Sequence, residues 1–185
     1  MHVVGSVRRI LLVSGSLREG STNSAVLRTA QRVQPAAVDA TVYGGLADLP
    51  AFNPDLDDDR LPAAVADLRD AIRASDAVLF STPEYAGGLP GAFKNLLDWT
   101  VGDDRPGSMY EKPVAWLNVA ARGAPNAHES LRTVLGYVHA TIVESACLAL
   151  PVTSSMVGTD GLVADEAVIR RLVHSLQTLA EAGPS

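Results

Sequence analysis

Short apolar runs alternate along this chain with segments in which apolar residues recur at helical spacing. Residues 10–13, 77–80 and 114–117 are apolar at every position, which is typical of strands buried on both faces of a parallel sheet. Residues 38–43 predict a weaker second strand, and residues 142–148 predict a fifth. The periodicity therefore indicates strands separated by helices, which is the signature of βαβ units.

Between these runs, apolar side chains recur three or four positions apart, as on the buried face of an amphipathic helix. The positions are Val26, Leu27, Ala30 and Val33; Leu61, Val65, Leu68 and Ile72; Leu131, Val134, Leu135 and Val138; and Val168, Ile169, Leu172, Val173, Leu176 and Leu179. A short helix is predicted over residues 90–100, and loops over residues 44–60 and 102–111. The alternation predicts an α/β fold: a doubly wound, five-stranded parallel sheet between two helical layers, with residues 1–185 forming a single domain.

Composition and charge narrow the classes of function. The chain has 185 residues, of which 47% are hydrophobic, and a net charge of −6, which disfavours nucleic acid as a partner. Cys147 is the only cysteine, so no internal disulfide can form, and its apolar neighbours predict a buried structural thiol. No run approaches the roughly 18 apolar residues of a membrane span, and the N-terminus lacks a signal-peptide pattern. We therefore expect a cytoplasmic protein.

Candidate metal ligands do not form a convincing set. The loop over residues 44–60 carries the aspartates Asp55, Asp57, Asp58 and Asp59. No His or Glu accompanies them at ligand spacing, so a solvated loop is predicted. The histidines are His2, His128, His139 and His174. No two have metal-site spacing. His128 is expected at the surface, with contact to the cofactor or substrate as the alternative, and His139 and His174 are expected in structural roles.

The loop after the first strand carries the strongest chemical signal. Residues 14–23 lead directly into a predicted helix, whose free N–H groups and dipole favour anions. The polar side chains in this loop are Ser14, Ser16, Ser21, Thr22 and Asn23, with Arg18 among them. A Walker loop is excluded because Ser21 stands where its lysine must be, and the G-x-G-x-x-G dinucleotide motif is absent. Phosphate binding is favoured over the alternative of an ordinary helix cap.

Two further loops should meet the first one, because the carboxyl ends of parallel strands share one edge of a sheet. In residues 81–91, Tyr85 could lie beside a planar ring and Glu84 could bond to its own loop or to a ligand hydroxyl. The alternative is a plain turn with Tyr85 in the core. Residues 118–125 are small enough for close approach of a flat ligand, and Arg122 could bind an anion or remain solvated.

Three motifs in this order resemble a known family. They are Gly15-Ser16, Arg18, Ser21 and Asn23; then Thr82-Pro83-Glu84-Tyr85, Pro90-Gly91, Lys94-Asn95 and Asp98-Trp99; then Lys112-Pro113-Val114. Over essentially its whole length the chain resembles the NADPH-dependent FMN reductases, which include quinone, azo-dye and chromate reductases. The resemblance implies a flavodoxin-like fold with non-covalently bound FMN.

The resemblance also implies roles for particular residues. Those expected to hold the phosphate are Ser16, Arg18, Ser21, Thr22 and Asn23. Those expected along the ribityl chain and ring are Pro83, Glu84, Tyr85, Ala86 and Gly87. Those expected to close the far side are Asn118, Ala120, Arg122 and Gly123. NADPH or NADH would deliver hydride to the flavin and leave before a small acceptor binds, so no catalytic side chain is required.

The resemblance further implies a homodimer or homotetramer, and it leaves the acceptor open among quinones, azo or nitro compounds, metal oxyanions and free flavin. Many relatives have Asn-Tyr-Ser where this chain has Ala86-Gly87-Gly88. The loss of these side chains predicts a more open pocket. Two alternatives remain at this point: a flavodoxin-type electron carrier, and an FMN-binding regulatory protein without turnover.

Overall fold

The computed structural model describes residues 6–58 and 61–182, and within them the predicted alternation of strands and helices is confirmed. The strands are β1 (Arg8–Ser14), β2 (Val38–Val42), β3 (Ala77–Ser81), β4 (Pro113–Asn118), β5 (Thr141–Ile142) and β6 (Leu148–Ala149). The helices are α1 (Thr22–Arg32), α2 (Ala63–Ala74), α3 (Gly91–Asp98), α4 (Pro125–Tyr137) and α5 (Glu166–Glu181). The predicted loop after β2 contains two 3₁₀ turns, Gly45–Asp48 and Pro54–Leu56.

The strands form a parallel sheet in the order β2-β1-β3-β4-β5, and β6 also pairs with β4. The chain moves outward in one direction from β1 to β2, and then in the other from β3 to β5. The resulting switch point lies between β1 and β3, and doubly wound sheets bind ligands beyond the carboxyl ends of the strands at such a point. The predicted fold class is therefore confirmed.

Each central strand is apolar throughout because its two faces belong to two different cores. In β1, Ile10 and Leu12 face the core beneath α1 and α5, whereas Leu11 and Val13 face the core beneath α2, α3 and α4. This alternation follows from the two-residue period of a strand. Two layers of helices therefore cover the sheet, as the two-sided apolar runs predict.

The fifth strand is the element that the sequence describes wrongly. Instead of one strand over residues 142–148, two strands of two residues each flank a 3₁₀ turn at Glu144–Ala146. The turn buries Ala146 against the helix α5, where the Ser175 hydroxyl donates to the Ala146 carbonyl at 2.7 Å. An apolar run alone cannot distinguish this interrupted edge from a continuous strand.

The aspartate-rich loop is also less solvated than predicted. Asp57 forms an ion pair with the buried Arg69, with an Nη1–Oδ1 distance of 2.8 Å, and the Nε of Arg69 donates to the Trp99 carbonyl at 2.8 Å. The ion pair of Asp57 therefore fixes this loop to α2 and to the end of α3. Asp59, which belongs to the same run of aspartates, lies outside the described residues. Within residues 6–58 and 61–182, no group of three or more His, Cys, Asp or Glu side chains could hold a metal ion. None of the helices in the described part of the chain is long and apolar enough to span a membrane.

Candidate functional site

A cleft of about 450 Å³ lies beyond the carboxyl ends of β1, β3 and β4. The loops after these three strands meet there, as their positions in a parallel sheet require. The lining residues are Ser16, Arg18, Ser21, Thr22, Asn23, Pro83, Glu84, Tyr85, Val119, Ala120, Arg122, Ala124 and Pro125. The cleft thus brings together ten of the fourteen residues predicted for the site: Ser16, Arg18, Ser21, Thr22, Asn23, Pro83, Glu84, Tyr85, Ala120 and Arg122.

The first loop passes very close to the end of β3. The Gly15 N–H donates to the Ser81 carbonyl at 2.8 Å. A Cβ atom at position 15 would lie 2.4 Å from the Thr82 hydroxyl oxygen and 2.9 Å from the Phe93 ring, so only glycine fits there. This close approach fixes the beginning of the loop against the neighbouring strand.

The N-terminus of α1 is open to an anion. Ser21 occupies the N-cap position, yet its side chain makes no capping hydrogen bond to the described residues. Residues 22–25 contain no acidic side chain, so no residue of the first turn neutralises the positive end of the helix dipole. The exposed Arg18 lies beside this end, and the Ser16 hydroxyl accepts a hydrogen bond from the Arg18 N–H at 3.3 Å. These donors suit a phosphate group.

The side chain of Asn23 is fixed by the buried Ser81, which was not among the residues predicted for the site. The Ser81 hydroxyl lies 2.8 Å from the Asn23 side-chain oxygen and 3.0 Å from the Leu117 carbonyl, and Ser81 is fully buried. This contact orients the Asn23 amide, whose NH₂ group remains to donate to a ligand. Ser81 thereby connects α1, β3 and β4 beneath the cleft. The signal for it was a hydroxyl at the end of an otherwise apolar strand.

The loop after β3 closes in a tight turn at Tyr85–Gly88. The Tyr85 N–H donates to the Gly88 carbonyl at 3.0 Å, and the Gly88 N–H donates to the Tyr85 carbonyl at 3.1 Å. Ala86 and Gly87 between them have φ angles of 49° and 75°, a conformation that favours glycine and strains alanine. Both lie outside the cleft lining, whereas Tyr85 lies in it and is 49% exposed. The alternative that Tyr85 is tucked into the core is therefore wrong.

The loop after β4 is shaped by its own first residue. The Asn118 side-chain oxygen accepts from the Ala120 N–H at 3.2 Å, and its amide donates to the Gly123 carbonyl. Asn118 and Gly123 are absent from the cleft lining, where Ala120 and Arg122 are found. Val119, Ala124 and Pro125 also line the cleft but were not expected there, because they carry no polar signal in the sequence.

His128 is buried, so its predicted surface position is wrong. Its Nδ1 lies 2.9 Å from the Ala124 carbonyl, and its Nε2 has no partner among the described residues. Burial lowers the pKa of His128, opposed by the Ala124 hydrogen bond and by the charge of Glu84. The ring is therefore neutral at pH 7. His128 lies one helical turn after Ala124, which has a left-handed φ of 48°, and its ring packs beside Trp116 with ring centroids 6.1 Å apart.

Cys147 is half-buried, so it is more accessible than the predicted buried thiol. Burial raises the pKa of its thiol to about 11, although a hydrogen bond to the Trp116 backbone opposes the shift. The thiol is thus protonated at neutral pH and is a poor nucleophile. This agrees with a structural role.

A parallel sheet in this strand order, with the uncapped N-terminus of α1 at its switch point, defines a protein of the flavodoxin-like α/β class. Comparison with known proteins identifies the class more narrowly. The model of the NADPH-dependent FMN reductase family matches residues 8–154, and the chain belongs to this family. The resemblance drawn from the three motifs is therefore confirmed.

The relatives agree with this assignment. A quinone reductase of Escherichia coli is 29% identical over 178 residues, which cover 94% of each chain. An NAD(P)H-dependent FMN reductase of Pseudomonas aeruginosa is 31% identical over 175 residues, which cover 92% of each chain. The structure of FerB, a flavoenzyme NAD(P)H:(acceptor) oxidoreductase of Paracoccus denitrificans, has a TM-score of 0.76 at 28% identity, covering 96% of this chain and 100% of that one. The protein is an oxidoreductase that uses FMN and NAD(P)H, and the electron-carrier and regulatory alternatives are disfavoured.

Proposed function

We propose that the cleft holds FMN and that the protein passes electrons from NAD(P)H to a small quinone-type acceptor. The observation that carries this proposal is the N-terminus of α1, which combines an unused cap hydroxyl with Arg18 at one end of a cleft. FMN supplies the redox chemistry when bound, by taking up a hydride and releasing two electrons. The protein has to bind, orient and expose the ring, which requires no nucleophile or general base.

The residues of the cleft divide this work by their chemistry. Ser16, Ser21 and Thr22 offer hydroxyl groups to the phosphate, and Arg18 offers a fork of N–H donors. Tyr85 and the small residues after β4 line the rest of the cleft, where the proposal places the planar ring. The helix dipole and the arginine together favour a dianionic phosphate, which distinguishes FMN from riboflavin.

We propose that the acceptor side of the bound ring is open, because the turn at Tyr85–Gly88 beside the cleft carries no bulky side chain at Gly87 or Gly88, and an open side favours acceptors with more than one ring. A Cβ atom at Gly88 would meet no atom of the described residues within 4 Å, and at Gly87 it would meet only the Asn126 amide at 3.9 Å. The turn thus presents backbone rather than bulky side chains toward solvent. A co-structure in which side chains of this chain cover the whole ring would contradict this part of the proposal.

We also expect a homodimer or homotetramer in the cytoplasm, built from a single domain. Leu17 and Tyr85 support association near the cleft, because these large apolar side chains are 56% and 49% exposed. Light scattering on the purified protein measures the oligomeric state directly, and a monomer at micromolar concentration would refute this expectation.

The first experiment is an anaerobic titration of the purified protein with NADPH and with NADH. We expect a bound flavin spectrum that either donor bleaches, and the faster donor identifies the physiological one. Reoxidation by a benzoquinone, an anthraquinone or an azo dye then ranks the acceptors. A colourless protein that takes up no added FMN would refute the proposed function.

A pair of arginine variants tests the phosphate site. Arg18→Ala should raise the Kd for FMN by one to two orders of magnitude, since a charged hydrogen bond contributes about 1.5–3 kcal/mol, and leave riboflavin binding unchanged. Arg28→Ala is the matched control, because Arg28 is an exposed arginine that contacts the Gly161 carbonyl at 3.2 Å and lies outside the cleft lining. Equal effects of the two variants on FMN would contradict the assignment of Arg18.

A further inference from the structure

The helix α4 begins at the cleft without a cap of its own. Its N-cap residue, Ala124, has no side-chain oxygen, and its first residue, Pro125, has no N–H. The N–H groups of the first turn of a helix have no partner within the helix and require one from outside. Ala124 itself is fixed, because its carbonyl accepts from the His128 backbone N–H at 3.3 Å and lies 2.9 Å from the His128 Nδ1.

The missing cap comes from a different loop. The Glu84 carboxylate accepts a hydrogen bond from the Ala127 N–H at 3.1 Å, across 43 positions of the chain. Glu84 belongs to the loop after β3, whereas Ala127 lies in the first turn of α4, after the loop that follows β4. A carboxylate at this end of a helix also interacts favourably with the helix dipole. The two loops on either side of the cleft are thus joined through one side chain.

We propose that Glu84 is a positioning residue that caps α4 from the loop after β3 and thereby fixes the separation of the two loops that flank the ring. The inference rests on the proposed function, because it assigns the cleft to FMN. It differs from the expected role of Glu84 as a contact to the ribityl chain. One of its oxygens is committed to the protein backbone, so its main effect on the ligand is through the shape of the cleft.

The charge of Glu84 adds a second consequence at the same place. Two helices, α1 and α4, direct their N-termini toward the cleft, as shown by Ser21 and Pro125 in its lining. Glu84 neutralises the N-terminus of α4. Of the two helix N-termini, that of α1 therefore attracts the phosphate. Glu84 therefore also helps to set the direction in which the cofactor lies.

Three variants test the proposal in the full-length protein. Glu84→Ala removes the cap, whereas Glu84→Gln keeps a side-chain oxygen that accepts from Ala127. Asp165→Ala is the matched control: Asp165 caps α5 by accepting from the Ala167 and Val168 N–H groups at 2.9 and 3.0 Å. Asp165 lies outside the cleft lining, so its loss should affect stability but not the ligand.

Two measurements distinguish the capping role of Glu84 from a direct contact between Glu84 and FMN. Hydrogen exchange of the apoprotein reports the Ala127 amide, and fluorescence titration reports the Kd for FMN. Glu84→Ala should accelerate exchange at Ala127 and weaken FMN about tenfold, which corresponds to about 1.4 kcal/mol. In Glu84→Gln, the slow exchange at Ala127 and the affinity for FMN should both be close to those of the wild-type protein. Asp165→Ala should lower the melting temperature by about 2–4 °C and leave the Kd unchanged.

The outcomes that overturn the proposal are distinct from those that overturn the proposed function. Unchanged exchange at Ala127 in Glu84→Ala would show that the cap does not exist in solution. Faster exchange with an unchanged Kd would show that the cap does not control the cleft. A Glu84→Gln variant with normal exchange but weakened FMN would show that the charge of the carboxylate, and not the cap, governs FMN binding. If the wild-type protein takes up no FMN, the proposed function is wrong, while exchange at Ala127 still tests the cap.

Discussion

Replacing Ser81 by alanine should weaken both the fold and the cleft. The Ser81 hydroxyl is fully buried and lies 2.8 Å from the Asn23 side-chain oxygen and 3.0 Å from the Leu117 carbonyl. The variant Ser81→Ala removes the one hydroxyl hydrogen that these two buried acceptors share, which costs about 1–3 kcal/mol. For a chain of this length each kcal/mol lowers the melting temperature by roughly 2–4 °C.

The effect on the ligand follows from the position of Asn23 at the cleft. Without the Ser81 hydroxyl the Asn23 amide is no longer held in one orientation, so the donor that is proposed to bind the phosphate is misplaced for part of the time. We expect the Kd for FMN to rise about tenfold, which corresponds to about 1.4 kcal/mol. Thermal unfolding of the apoprotein and fluorescence titration with FMN measure the two effects separately.

A second buried serine provides the control. The Ser175 hydroxyl is equally buried and donates to the Ala146 carbonyl at 2.7 Å, between α5 and the 3₁₀ turn of the sheet edge. Ser175→Ala should destabilise the protein by a similar amount and leave FMN affinity unchanged, because Ser175 is not part of the cleft lining. If both variants change the Kd by the same factor, the reasoning about Asn23 is refuted and the change reflects lost stability alone.

Three further predictions follow from single contacts. Gly15→Ala should destabilise the protein and weaken FMN binding, because the added Cβ overlaps the end of β3. Urea unfolding and FMN titration measure the two effects, and a variant as stable as the wild-type protein would contradict the prediction. Arg69→Ala should cost about 3–5 kcal/mol in urea unfolding, because it leaves Asp57 as an unpaired charge that is largely buried; a loss below about 1 kcal/mol would mean that water solvates the pair. The lowered pKa of His128 means that the unfolded chain binds this proton more readily than the native protein. Stability should therefore fall as the pH drops below about 6.5, by at most about 1.4 kcal/mol per pH unit, and His128→Gln should flatten this slope between pH 7.5 and 5.5. An identical slope in the variant would assign the pH dependence to other groups.

The sequence predicted the structure correctly where a local pattern of residues is typical of one kind of element. Strands such as residues 77–80, apolar at every position, predict burial on both faces and hence a sheet between two helical layers. The loop from Ser14 to Asn23 indicates an anion site because hydroxyls, an amide and Arg18 cluster before a helix. These inferences depend on local spacing, which a sequence displays directly.

Contacts between distant parts of the chain account for the errors. The sequence does not indicate that His128 is buried, because its ring packs beside Trp116 on the strand β4, with ring centroids 6.1 Å apart. Asp57 looks solvated until Arg69 is brought beside it by the packing of α2. The strand predicted over residues 142–148 is interrupted by a 3₁₀ turn, in which Ala146 packs in the core beneath α5.

The amino-acid sequence by itself therefore determined the fold class, the edge of the sheet that carries the cleft, and the polar composition of the loop that is proposed to hold the phosphate. Periodicity and helix-end chemistry are short-range properties, so they can be read without coordinates. Only the tertiary structure decided which side chains support the cleft from beneath and beside it. Ser81 reaches Asn23 across 58 positions and Glu84 reaches Ala127 across 43, and hydrogen bonds over such separations exist only once the strands have been paired.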